Sequence, residues 1–177
     1  DKQVIVIDGD GSTCSHNDSA GGDTGGDDGN SDGSDLECLE GYTYSSQTSI
    51  CTPDEFLFSI STQQAAYFFS SATFNGEFLS ENDWVGAFNG NICVGARKWD
   101  ISQCGGVCEI PVFGNDGNAW SLGYMFEGDL PTFKIFRASD LTYHEAYASE
   151  EVPWGVLVTP VISSLSECTN GAQFCDK

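Results

Sequence analysis

Between residues 56 and 163 the sequence never sustains a helical period. Apolar and aromatic residues come in short alternating runs, broken by Gly, Asn and Asp roughly every ten residues. A chain patterned this way builds short strands, and short strands at such spacing close into two packed sheets about 10 Å apart. Residues 56–61 alternate, with Phe56, Phe58 and Ile60 on one face, and residues 65–74 continue with aromatic and small side chains. Residues 84–88 and 92–96 flank Asn89-Gly90-Asn91. Asn-Gly between such runs is a strong hairpin signal, because both residues tolerate positive φ. Further strands are predicted at 109–113, 132–137, 142–148 and 156–163. Twelve Phe, six Tyr and four Trp supply a bulky core, with Trp84 and Trp154 placed inside it. The expected fold is an all-β antiparallel β-sandwich, Ig-like or jelly-roll-like, with an extended amino-terminal strand on an acidic tether and only minor helix.

That first strand is unusual. Val4-Ile5-Val6-Ile7 is apolar on both faces of an extended chain, since Val4 and Val6 point one way and Ile5 and Ile7 the other. Burying the four side chains would stabilise by about 6 to 12 kcal/mol, at roughly 1.5 to 3 each. An Asp/Gly/Ser tract follows over residues 9–37. As a flexible coil it spans about 30 Å, enough to reach a neighbouring domain. Insertion into its own body and donation to a neighbour both remain open.

Composition narrows the partners. Six Lys and Arg stand against 27 Asp and Glu, a formal net charge of −21 over 177 residues, and 11 of the acids fall in the first 40. No basic patch can be assembled, which excludes nucleic acid. Cations are the natural counterparts. No apolar run approaches the length of a membrane span. With no signal peptide at Asp1, a mature secreted product, extracellular or at a cell surface, is expected. Eight cysteines fit an oxidising compartment. Cys38 with Cys51 is the favoured pair, closing a small knuckle whose loop contributes about 3 kcal/mol. Cys104 with Cys108 and Cys168 with Cys175 are further local pairs, leaving Cys14 and Cys93 unassigned. His16 and His144 are isolated and no C-x-x-C recurs, so zinc is disfavoured. Three zones result: strand and tether (1–37), disulfide knuckle (38–52) and sandwich body with a disulfide tail (53–177).

Several segments in order carry a resemblance. These are Gln64-Ala65-Ala66-Tyr67-Phe68-Phe69, Asn82-Asp83-Trp84-Val85-Gly86-Ala87-Phe88-Asn89-Gly90 running into Val94-Gly95-Ala96-Arg97, then Pro131-Thr132-Phe133-Lys134-Ile135-Phe136-Arg137-Ala138-Ser139 and Glu151-Val152-Pro153-Trp154. From residue 61 to about 154 the chain resembles a repeat domain of large secreted bacterial cell-surface proteins. The resemblance implies an extracellular β-sandwich building block without catalysis, and it assigns no ligand to particular residues. The amino-terminal strand resembles the donor strands of pilus-type fibres.

Candidate sites follow from residue chemistry. Asp28-Gly29-Asn30-Ser31-Asp32-Gly33 places Asp28, Asn30 and Asp32 at alternating positions with Gly at the sixth, as in half of a calcium loop. The twelfth position is Leu39 rather than Glu. Asp8, Asp10 and Ser12 form a second, poorer oxygen cluster. Asn17-Asp18-Ser19 is a glycosylation triplet, and the Ser/Thr-rich stretch at 43–49 offers O-linked sites. His144 beside Glu145, or Cys93 as a nucleophile, are the only catalytic candidates, and Cys93 in an apolar strand reads as structural. Glu150 and Glu151 are adjacent, so on a strand they face opposite ways and do not flank one bond. Trp99 and Trp120, close to loops, are candidates for sugar stacking. Arg97 and Lys98 are expected to pair with local carboxylates. The sequence as a whole reads as a non-enzymatic, calcium-stabilised structural subunit. It would join identical copies into a linear or helical homopolymer by strand donation, with a monomeric adhesion or carbohydrate-binding module as the alternative.

Overall fold

The computed structural model describes residues 38–167. Val4, Ile5, Val6, Ile7, the oxygen clusters at Asp8, Asp10, Ser12 and at Asp28, Asn30, Asp32, the triplet at Asn17, and Cys14, Cys168 and Cys175 all lie outside the described residues. The described chain is an all-β sandwich. It begins with a hairpin, β1 (Tyr42–Ser45) and β2 (Ile50–Pro53), tied by the Cys38–Cys51 disulfide. There follow β3 (Gln64–Phe69), β4 (Ala72–Phe74), β5 (Glu77–Phe78), β6 (Trp84–Asn89) and β7 (Ile92–Lys98). After a four-residue helix α1 (Ile101–Cys104), closed by the Cys104–Cys108 disulfide, come β8 (Cys108–Phe113), β9 (Thr132–Arg137), β10 (Thr142–Ala148), β11 (Val161–Ile162) and β12 (Leu165–Glu167).

A three-stranded sheet, in the order β11-β3-β8, packs against a seven-stranded sheet in the order β5-β4-β12-β10-β9-β6-β7. Alternation decides the core. Ala65, Tyr67 and Phe69 of β3 with Ile110 and Val112 of β8 meet Val85 and Ala87 of β6, Val94 of β7, and Phe133 and Ile135 of β9. The other face of the larger sheet is also covered at one end. There Phe56, Trp84, Phe88, Cys93 and Phe136 form a second cluster beneath the β1–β2 knuckle, with Tyr42 edge-on to Phe136 at 5.4 Å. Burial on both faces explains the unbroken apolar run of β6.

Two crossings close the sandwich. At Ser70 and Ser71 the chain leaves the small sheet as β3 and enters the large one as β4. The parallel segment from β11 to β12 does the same beside it, and Ser70 N–H donates to Ile162 O while Leu165 N–H donates to Ser71 O. On the far side the backbones of β7 and β8 nearly touch. A Cβ at Gly95 would collide with the Pro111 carbonyl, so only glycine fits there.

Strands predicted at 109–113, 132–137 and 142–148 form with bounds within a residue, and the 84–96 hairpin turns at Gly90-Asn91 with Gly90 at φ +60. Three strand predictions need correction. Residues 65–74 are not one strand but parts of β3 and β4, because the chain changes sheets at Ser70 and Ser71. Residues 56–61 form no strand: Phe56 ends a 3-10 turn, and side-chain oxygens take the N–H groups of Glu55, just before the segment, and of Ser59 and Ile60 within it. Glu55 N–H donates to Tyr143 Oη at 3.2 Å, Ser59 N–H to Tyr124 Oη at 2.7 Å and Ile60 N–H to Gln47 Oε1 at 3.0 Å. Phe56 turns into the second cluster, Phe58 stacks on Phe113 at 5.6 Å and Ile60 remains exposed. The strand predicted at 156–163 shrinks to Val161–Ile162, since Leu157 sits at φ +62 and breaks the pleat.

Candidate functional site

The two edges of the three-stranded sheet differ. On β8, Pro111 pairs opposite Ala66, whose own N–H goes to Val158 O at 3.0 Å on the far side. In an antiparallel ladder the partner of such a residue also points its backbone outward. Pro111 therefore deletes a donor from the outer edge of β8, and β7 packs over what remains at Gly95.

The β11 edge is built the other way. Val158 O, Pro160 O and Ile162 O accept from Ala66, Phe68 and Ser70 N–H at 3.0, 2.9 and 3.0 Å. Alternate residues face alternate sides, so Thr159 and Val161 turn their backbone groups away from β3. The missing N–H of Pro160 falls on the β3 side and leaves the outer edge its donors. That edge is also greasy, for Val156, Leu157 and Val161 are 48, 74 and 65% exposed. An exposed apolar edge of this kind is a template for another strand. At one end of the larger sheet β5 is only two residues long.

A groove of about 470 Å³ lies beside it. The outer face of the three-stranded sheet presents Ala66 opposite Pro111 and Gln64 opposite Phe113, and the groove takes Ala66 and Pro111 as small contacts between Ile60 and Leu157. Its charged members neutralise each other, because Arg97 donates to the Glu109 carboxylate in the pairing expected for that arginine. A neutral, largely apolar groove of this volume suits a few aliphatic or aromatic side chains.

The remaining predicted residues are dispersed. Trp99 is a correction: it is 2% exposed, its N–H bonded to Asp83 O at 2.7 Å and its ring tilted against Phe69 at 6.5 Å. A ring used in the core offers no stacking surface. Trp120 is 57% exposed, near Leu122 and Phe126 in sequence, which are exposed as well. His144 and Glu145 form no pair, since neighbours on β10 face opposite sides. His144 Nε2 meets Thr142 Oγ1 at 2.7 Å with Phe74 against its ring, while Glu145 approaches Lys134 at 3.7 Å. Cys93 is buried, and burial pushes its thiol up to about 12. The pairs Cys38–Cys51 and Cys104–Cys108 form as expected.

Asp83, within Asn82-Asp83-Trp84, carries no sequence signal for the part it plays. Its fully buried carboxylate accepts from Ser80 N–H at 2.8 Å, Ala138 N–H at 3.0 Å and the Arg137 guanidinium at 2.8 Å. Among the described residues no group of three His, Cys, Asp or Glu side chains is placed to hold a metal, and no helix is long and apolar enough to cross a membrane. No protein-family model, curated protein or solved structure matches the chain.

Proposed function

We propose that this chain is a structural module of an extracellular assembly, joined head to tail to identical copies through the segment Val4–Ile7. The observation that carries the reading is the two-sided apolar character of Val4–Ile7. Four consecutive side chains, Val4 to Ile7, are apolar on both faces of an extended strand, and such a strand needs apolar cover on both sides. The two disulfides support an oxidising location. The resemblance of residues 61–154 to surface-protein repeat domains points the same way. A heterologous contact of this type propagates into a fibre unless rotation closes a ring. With a net charge of −21, copies repel one another, so association strengthens as salt or calcium screens them.

Calcium held by Asp28, Asn30 and Asp32, and by Asp8, Asp10 and Ser12, would stiffen the tether between copies, and a glycan on Asn17 would decorate it. A chain without residues 1–8 should remain folded and stay monomeric by light scattering, whereas normal filaments from it would refute the reading. Chelation should lower thermal stability and raise proteolysis between Ser12 and Glu37; if neither changes, calcium leaves the account. A second reading, a monomeric glycan-binding module, draws on exposed Trp120. It requires a fluorescence response to oligosaccharides that Trp120→Ala removes.

A further inference from the structure

We infer that the backbone edge at Thr159 and Val161 is where Val4–Ile7 of a second copy pairs, with the adjacent groove taking side chains from one face of it. The inference rests on the head-to-tail reading above. Four observations converge on this edge. Its outward donors and acceptors are intact, because Pro160 turns its missing N–H toward β3. The competing edge of the same sheet is blunted by Pro111 and covered at Gly95. A strand added beside β11 would have apolar surroundings on both faces: Ile162, buried in the core, on one side, and the groove with Ile60 and Leu157 on the other. Val4–Ile7 is the segment of the chain outside the described residues with apolar side chains on both faces to match. Leu157 and Val161 are 74 and 65% exposed, and the head-to-tail reading assigns their cover to a second copy.

In such a pairing the main chain supplies the hydrogen bonds and the alternating side chains set the register. The charged ends of the segment, Lys2 and Asp8, then lie beyond the apolar stretch at either side. A slip of one residue would exchange the two apolar pairs between core side and groove side.

The test uses the full chain. Hydrogen exchange is followed at a dilution where light scattering reports single chains, and again where polymers form, with a synthetic peptide of residues 2–8 as competitor. The amides of Thr159 and Val161 should exchange at least tenfold more slowly in the polymer, and the peptide should break the polymer while protecting the same two amides. Val161→Pro, which removes one outward donor, should weaken association roughly tenfold. Leu157→Lys changes only an exposed side chain and should act in the same direction if Val161→Pro perturbs folding. If both variants polymerise like the parent while removal of residues 1–8 still abolishes polymers, the edge assignment is wrong and the head-to-tail reading stands. Polymers that persist without residues 1–8, or a chain that neither polymerises nor binds the peptide, overturn both. Protection of Thr159 and Val161 that is independent of concentration means that the chain's own segment is the occupant, and the assignment to a second copy fails.

Discussion

Replacing Asp83 with alanine should be among the most damaging single substitutions in the described body. The carboxylate is fully buried and receives three donors: the N–H groups of Ser80 and Ala138 and the guanidinium of Arg137. Together these tie the loop before β6 to the end of β9, and the Asp83 carbonyl also fixes Trp99 through its N–H. Removing the carboxylate leaves two backbone donors without partners, at about 1 to 3 kcal/mol each. The guanidinium adds less, because its side chain is 22% exposed, reaches water, and stays over the Phe74 ring at 4.9 Å. The sum falls at about 3 to 5 kcal/mol, the range for breaking a buried ion pair from its buried side. Arg137→Met should cost less, about 1 to 3 kcal/mol, since the carboxylate keeps both N–H donors. Urea unfolding followed by tryptophan fluorescence measures both, with the slope checked for constancy. A loss below 1 kcal/mol for Asp83→Ala, or a larger loss for Arg137→Met than for Asp83→Ala, would refute the view that the loop depends on this carboxylate.

Two further outcomes follow from the cysteines. Cys93 should resist thiol reagents at pH 8 until the protein unfolds, because its thiol is buried and holds its proton to about 12. Its folded value lies above the ordinary 9.0, so its contribution to stability is full below pH 9 and declines as pH climbs toward 12; labelling of the native protein at pH 8 would contradict this. Replacing Cys38 and Cys51 together by alanine should cost about 3 kcal/mol in thermal or urea unfolding, by releasing a short loop in the unfolded chain. An unchanged midpoint would mean that the knuckle is held by its other contacts, such as Tyr42 against Phe136 and Ile60 N–H to Gln47.

Much of the sandwich was legible because its central strands are short runs of strand-forming residues set off by turn residues, alternating in β8 and unbroken in β6 and β7. The runs that became β8 and β9 carry apolar side chains that mark their inner faces, and Gly90 marks the turn between β6 and β7. Where prediction failed, the deciding group lay far away in sequence. Phe56, Phe58 and Ile60 alternate as a strand would, yet Tyr124, Tyr143 and Gln47 claim the neighbouring N–H groups. The hairpin turn at Asn75-Gly76, with φ of +53 and +79, carries a clear signal, but its flanking strands are too short to show alternation. Trp99 read as a loop residue because nothing local reveals that Asp83 holds its N–H. The candidate edge was the least legible part. Pro111 and Pro160 look alike in the sequence, and only the hydrogen-bond partners of Ala66 and Phe68 reveal that one blunts an outer edge while the other spares it.

The central claim is that Val4–Ile7 of one copy contacts the body of another, and mixed-isotope cross-linking tests it most directly. Equal amounts of ¹⁴N- and ¹⁵N-labelled chains are assembled, Lys2 is coupled to nearby carboxylates, and the linked peptides are weighed. Links from Lys2 to peptides near residues 150–167 in which light and heavy partners mix are expected. Links to those peptides found only within chains of a single isotope would contradict the claim.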